Sequence, residues 1–301
     1  MTDYMVRAIS ADGSIRAFAA RTTETVEEAR RRHDTWPTAT AALGRALTGT
    51  LLLSATLKDP KESVTLRVEG DGPLGRITCD ADEQGNGRGY VLNPHVDLVL
   101  NAQGKLDVAG AVGRGYLYVT RQLALEGIYT GTAELISGEL GEDLAYYLSR
   151  SEQTPSAVAL GVRVAPDGHV VAAGGYLVQL LPAASDEDRQ RLEENIRAMP
   201  GVSLAVEQGM TPEQILDAVL AGVEYRILER RPVRFACRCS RERARGLLAA
   251  LDLAELEAMV REGKGAELTC QFCGEVYRFT QEELLEAQRE RRPASEAGKN
   301  E

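Results

Sequence analysis

Apolar and polar positions alternate from the start of the chain. Tyr4, Val6 and Ala8 fall on one face, and Met5, Arg7 and Ile9 on the other. This period of two predicts a strand, and Asp12-Gly13 followed by the run Ile15 to Ala20 predicts a hairpin. The period then lengthens. Thr22 or Thr23 is placed to cap a helix carrying Val26, Glu27, Glu28 and Ala29 and ending near His33-Asp34. Trp36-Pro37 opens a second helix running to about Lys58. Ala39, Ala41, Ala42, Ala46 and Ala55 mix there with Leu43, Leu47, Leu51, Leu52 and Leu53, so no face is polar. A helix apolar all round is a buried one. Gly44 and Gly49 each cost it about 1 kcal/mol relative to alanine, which predicts close approach of another backbone. Arg45 is expected to be a satisfied buried cation.

From residue 63 to 180 the pattern returns to period two. Strands are expected at Val64 to Val68, Arg76 to Cys79, Gly89 to Leu92, Tyr116 to Val119, Ala133 to Leu135, Ala157 to Val164 and Val170 to Leu180. A short helix is expected from Gly141 to Ser149. Gly85-Asn86-Gly87-Arg88-Gly89 matches no phosphate-cradle spacing and reads as a hairpin loop. Cys79 reads as a small buried strand residue. Pro182 to Ser185 breaks the pattern. Ser185-x-x-Asp188 then starts a charged helix to about Met199, and Thr211-Pro212-Glu213-Gln214 starts another with Ile215, Leu216, Val219, Leu220 and Val223 on one face. Residues 183–231 thus read as short amphipathic helices that are stable only when docked on something else.

The last third changes the chemistry. Cys237-Arg238-Cys239, a gap of 30 residues and Cys270-Gln271-Phe272-Cys273 hold four of the five cysteines. Two close pairs of thiolates supply the two edges of a tetrahedral zinc site. His33, His95 and His169 all lie far upstream, so the expected site is one zinc ion on four sulfurs in the reduced state. Ser240 is placed to cap a helix toward Leu251, a second helix fits Leu253 to Arg261, and Gly274 to Phe279 reads as a return strand. Thr280-x-x-Glu283 caps a last helix from Gln281 to about Arg289. Such a module of roughly 55 residues cannot rely on its core alone. Structural zinc contributes an apparent ~10–16 kcal/mol to small folds, so metal loss is expected to unfold it. Thiolates also oxidise, and disulfides do not hold zinc in the same way.

Composition narrows the setting. The chain has 301 residues, 44% hydrophobic and 27% charged, which suits about two globular domains. A net charge of −10 opposes broad binding to nucleic acid or anionic membranes. The N-terminus lacks the apolar run of a secretion signal, and the most apolar helical run, Leu47 to Leu57, is about half a membrane span. A cytoplasmic location is expected, where clustered cysteines indicate metal or redox chemistry.

The cysteine pattern and its flanks (Pro232-Val233-Arg234-Phe235, Ser240-Arg241-Glu242-Arg243 and Gly274-Glu275-Val276-Tyr277-Arg278-Phe279) resemble the Hsp33 family of redox-regulated chaperones. The likeness extends through Thr35-Trp36-Pro37-Thr38-Ala39, Ala42-Leu43-Gly44-Arg45, Val68-Glu69-Gly70-Asp71-Gly72-Pro73 and Ser137-Gly138-Glu139-Leu140, up to about residue 290. It implies an α+β chain. A β-rich core with central helices would span 1–182, a metastable helical linker 183–231, a zinc-binding redox switch 232–290 and a disordered tail 291–301. It further implies an ATP-independent holdase, zinc-bound and inactive when reduced, whose oxidation releases zinc, unfolds switch and linker and exposes a surface for unfolding client proteins. The active form would be a homodimer. Disulfides Cys237–Cys239 and Cys270–Cys273 follow from the same resemblance. No catalytic residue, nucleic acid or membrane partner is implied.

Two other readings compete. A constitutive zinc ribbon would use Arg231, Arg234, Arg238, Arg241, Arg243 and Arg245 as a basic face for nucleic acid or a protein partner. A thiol oxidoreductase would use Cys270-x-x-Cys273, but such a pair usually opens a helix in a βαβ unit.

Overall fold

The computed structural model describes residues 2–291; most of the expected tail, residues 292–301, lies outside the described residues. The chain divides at Ala236/Cys237 into two units. The first contains β1 (Tyr4–Ser10), β2 (Ile15–Arg21), α1 (Thr23–His33), α2 (Pro37–Ser54), β3 (Ser63–Gly70), β4 (Arg76–Asp82), β5 (Asn86–Val91), α3 (Val108–Val112), β6 (Gly115–Leu123), β7 (Gly127–Glu134), α4 (Leu140–Arg150), β8 (Ser156–Val164), β9 (Val170–Leu180), α5 (Asp186–Ala198), α6 (Val202–Glu207), α7 (Pro212–Val219), β10 (Tyr225–Pro232) and β11 (Arg234–Phe235). The second contains α8 (Arg241–Ala250), α9 (Leu253–Glu262), β12 (Ala266–Thr269), β13 (Val276–Phe279) and α10 (Gln281–Arg291). The class is the expected α+β with a β-rich first unit.

Two sheets sandwich α2. One has five strands in the order β10-β1-β2-β9-β8, the other six in the order β11-β5-β4-β3-β6-β7. Every α2 residue from Thr38 to Ser54 is buried except Arg45, because strands of both sheets pack on it. Arg45 is half-buried and only partly satisfied: Nη1 pairs with Glu139, while its buried Nε has no hydrogen-bond partner among the described residues. The helix ends at Ser54, earlier than Lys58. Its glycines do not admit another backbone, the expectation drawn from their cost to the helix. A Cβ on Gly44 would lie 2.5 Å from Val26 Cγ1 and 2.8 Å from Val162 Cγ2, and one on Gly49 3.2 Å from Leu144 Cδ2. Side chains from α1, α4 and β8 fill the space instead. Thr22 does not cap α1 through its side chain; its hydroxyl bonds that of Thr48 at 2.7 Å.

The alternation in the first hairpin has a two-sided purpose. Met5, Phe18, Ala20 and Leu177 face the core around α2. Val6, Ala8, Ala17, Ala19, Ala172, Tyr176 and Val178 face the other way. That second face is covered by Leu192 of α5, Val202 and Val206 of α6, and Ile215, Leu216 and Val219 of α7. The amphipathic helices at 183–224 thus have little core of their own and complete one on the sheet. Glu213 adds polar ties, accepting from Tyr4 Oη at 2.6 Å and from Arg230 Nε at 2.7 Å.

Residues 225–231 are not helical as expected. They form β10, paired antiparallel with β1 across a bulge at Arg7/Ala8. Tyr225, Ile227 and Glu229 are half-buried while Arg226, Leu228 and Arg230 are exposed, a period of two. The helix α3 was also not anticipated; Asp107 caps it by accepting from Gly110 N. No helix among the described residues is long and apolar enough to cross a membrane.

Candidate metal centre

The second unit is small. Ala244 and Leu248 of α8, Leu256 of α9, Phe279 of β13 and Leu284 and Ala287 of α10 form its buried cluster. Local signals fold it. Ser240 accepts from Arg243 N and starts α8, and Asp252 accepts from Ala254 N and starts α9. Thr280 and Glu283 exchange bonds as a capping box at the start of α10.

Cys270 and Cys273 occupy the turn between the paired strands β12 and β13. Cys273 N and Gly274 N both donate to Cys270 O, at 3.3 and 2.8 Å. Gly274 has φ of +73°, a conformation glycine adopts without cost. Backbone N–H groups of Phe272 and Glu275 point at the sulfurs of Cys270 and Cys273. Cys237 and Cys239 lie in the segment just before α8. The four Sγ atoms lie within 4.8 Å of one another. Cys237 and Cys270 sulfurs are 3.7 Å apart, and those of Cys239 and Cys273 3.3 Å. Tetrahedral zinc with Zn–S near 2.3 Å needs sulfur–sulfur edges of about 3.8 Å, so the donor set fits with little adjustment. Burial pushes the Cys270 and Cys273 thiols up; the Cys237 sulfur adds to this at Cys270, where Cys273 opposes it, and the Cys239, Cys270 and Cys237 sulfurs add to it at Cys273. Four clustered thiolates repel one another, and a bound cation reverses that penalty. These four residues could therefore hold a metal ion.

The other candidates disperse. Cys79 is fully buried in β4, and burial raises its thiol strongly. The arginines are engaged. Arg231 pairs with Glu229 and Glu83, and Arg234 donates to Asn86 Oδ1. Arg241 pairs with Glu283 at 2.7 Å, Arg243 donates to Arg238 O, and Arg245 lies 3.9 Å from Glu286. Charge compensation within the fold accounts for them better than a nucleic-acid face. The Cys-x-x-Cys pair sits in an antiparallel hairpin rather than at a helix start, which does not favour an oxidoreductase site. One contact was not legible in the sequence: Tyr277 Oη donates to Cys239 Sγ at 3.1 Å. Its only signal was an aromatic residue on the strand following Cys273.

Comparison with known proteins agrees with this geometry. The Hsp33 protein family model matches residues 3–280. The chain is 71% identical over 289 residues to the 33 kDa chaperonin of Symbiobacterium thermophilum, covering 96% of this chain and 98% of that one. It is 50% identical over 284 residues to the 33 kDa chaperonin of Desulforamulus reducens, covering 94% and 96%. The crystal structure of the 33 kDa chaperonin (heat shock protein 33 homolog) of Thermotoga maritima superposes with a TM-score of 0.88 at 39% identity, covering 96% of this chain and 98% of that one. The chain belongs to the Hsp33 family of chaperones.

Proposed function

We propose that the chain is a redox-regulated, ATP-independent holdase of the cytoplasm, whose four-cysteine centre keeps it inactive while reduced. The observation that carries this reading is the all-sulfur cluster inside a unit with a small core. A zinc ion bound by Cys237, Cys239, Cys270 and Cys273 would hold them as thiolates and add its binding free energy to folding. Hydrogen peroxide removes the donors. Two thiols lose two electrons and two protons, an S–S bond forms, the peroxide O–O bond breaks and two waters leave. The proposed pairs are Cys237–Cys239 and Cys270–Cys273.

The proposed division is a core over 1–182, a conditional linker over 183–231 and a switch over 232–290. The helices α5 to α7 support it, because their apolar residues are buried only by docking on the sheet. The strands β10 and β11 run directly into Cys237. Unfolding from residue 237 onward would loosen β10 at the edge of its sheet, then the helices before it. The uncovered face of Val6, Ala8, Ala17, Ala19 and Val178, with the apolar faces of the helices, would receive unfolding clients, and the active form would be a homodimer.

The test measures light scattering of an aggregating client with reduced and with peroxide-treated protein, both without nucleotide. Suppression by the oxidised form alone supports the proposal. Equal suppression by both forms, or suppression that needs ATP, overturns it.

A further inference from the structure

Among the described residues, Tyr277 is the non-cysteine partner of the Cys239 sulfur, with Oη 3.1 Å from Sγ. The bond joins residues 38 apart in sequence. Tyr277 stands on β13 opposite Leu268 of β12, and its ring packs against the unit's buried cluster. Cys270 and Cys273 receive backbone N–H groups from their own turn. Cys239 instead depends on a side chain from the far hairpin.

We propose that Tyr277 is a positioning residue whose hydroxyl holds the Cys239 sulfur as a metal donor, tying the first cysteine pair to the hairpin that carries the second. The inference rests on the proposed metal centre and deepens it. A thiolate only accepts hydrogen bonds, so with Cys239 ionised the phenol must be the donor. A bond to a charged acceptor is among the stronger kind, and it withdraws electron density from the sulfur. Partners that orient metal ligands typically change affinity by about 10–100-fold when removed. A disulfide sulfur is a poorer acceptor, so this bond favours the reduced, metal-holding state over the oxidised one.

The experiment uses the full chain, reduced, with wild type, Tyr277→Phe and Phe279→Leu. Zinc affinity is read by competition with a chelating dye, and cobalt is added separately as a spectroscopic probe. Tyr277→Phe keeps the ring and is expected to weaken zinc binding by roughly tenfold or more. The sulfur-to-cobalt charge-transfer band should move to lower energy, because the Cys239 sulfur becomes more electron-rich. Hydrogen peroxide should also displace zinc at a lower concentration than from wild type. Phe279→Leu, which perturbs packing, should leave the band in place. Unchanged affinity in Tyr277→Phe, or weakened affinity with an unmoved band, overturns the inference and leaves the metal centre standing. A wild-type protein that takes up neither metal overturns both.

Discussion

At the scale of single residues, chemistry close in sequence was legible and chemistry set by distant neighbours was not. The spacing of the four cysteines pointed to a place where a metal could be held, and their sulfurs do lie within 4.8 Å of one another. Cys273→Ser removes one donor, and zinc binding should fall by orders of magnitude in the dye competition. Gly44 tests packing against propensity. Alanine there gains about 1 kcal/mol of helix propensity, but its Cβ would lie 2.5 Å from Val26 Cγ1, and overpacking costs about 1–3 kcal/mol. Thermal denaturation of Gly44→Ala should therefore show a lower Tm. Its cost to the helix signalled a close approach without naming the partner, which comes from α1 and β8.

Asp3 was invisible in the sequence. It is buried, accepts from Thr25 N and Oγ1 at 2.8 Å each, and lies 3.9 Å from Arg21. Burial outweighs those bonds and pushes its carboxyl up from 3.8 to about 6. A raised carboxyl stabilises the fold below its unfolded value and loses that contribution as pH rises through its folded value. Asn at this position keeps an acceptor for Thr25 and has no such loss. Denaturant titrations should find Asp3→Asn gaining on wild type between about pH 4 and 6, by up to about 3 kcal/mol. A constant difference across that window would contradict this environment.

At the scale of elements, caps carried most of the correct boundaries. Ser185-x-x-Asp188 and Thr211-x-x-Gln214 both form capping boxes, because their bonds span three residues and need no tertiary partner. The strand β10 was missed for the opposite reason. Ile227 and Leu228 are adjacent apolar residues that blur the alternation, and only pairing with β1, more than 200 residues away, makes the segment a strand. The helix α7 is where the element scale meets function. Ile215 is fully buried against the sheet, so Ile215→Ser leaves a cavity and an unpaired hydroxyl costing a few kcal/mol. The reduced variant should suppress client aggregation without oxidant, measured by light scattering. A reduced variant as inactive as wild type would show that docking of α7 does not gate the activity.

At the scale of the whole molecule, two units share one chain but rest on different physics. The first has a core buried around α2 and on both faces of a sheet. The second has a small cluster beside four sulfurs. That asymmetry makes the second unit the one whose fold should depend on the proposed metal. The most direct measurement is amide hydrogen exchange of the full chain before and after peroxide treatment, with zinc release read in the same sample. Zinc should leave, exchange should rise across 241–289 and across α5 to α7, and the strands around α2 should stay protected. Zinc release with unchanged exchange in α5 to α7 would contradict the proposed switch.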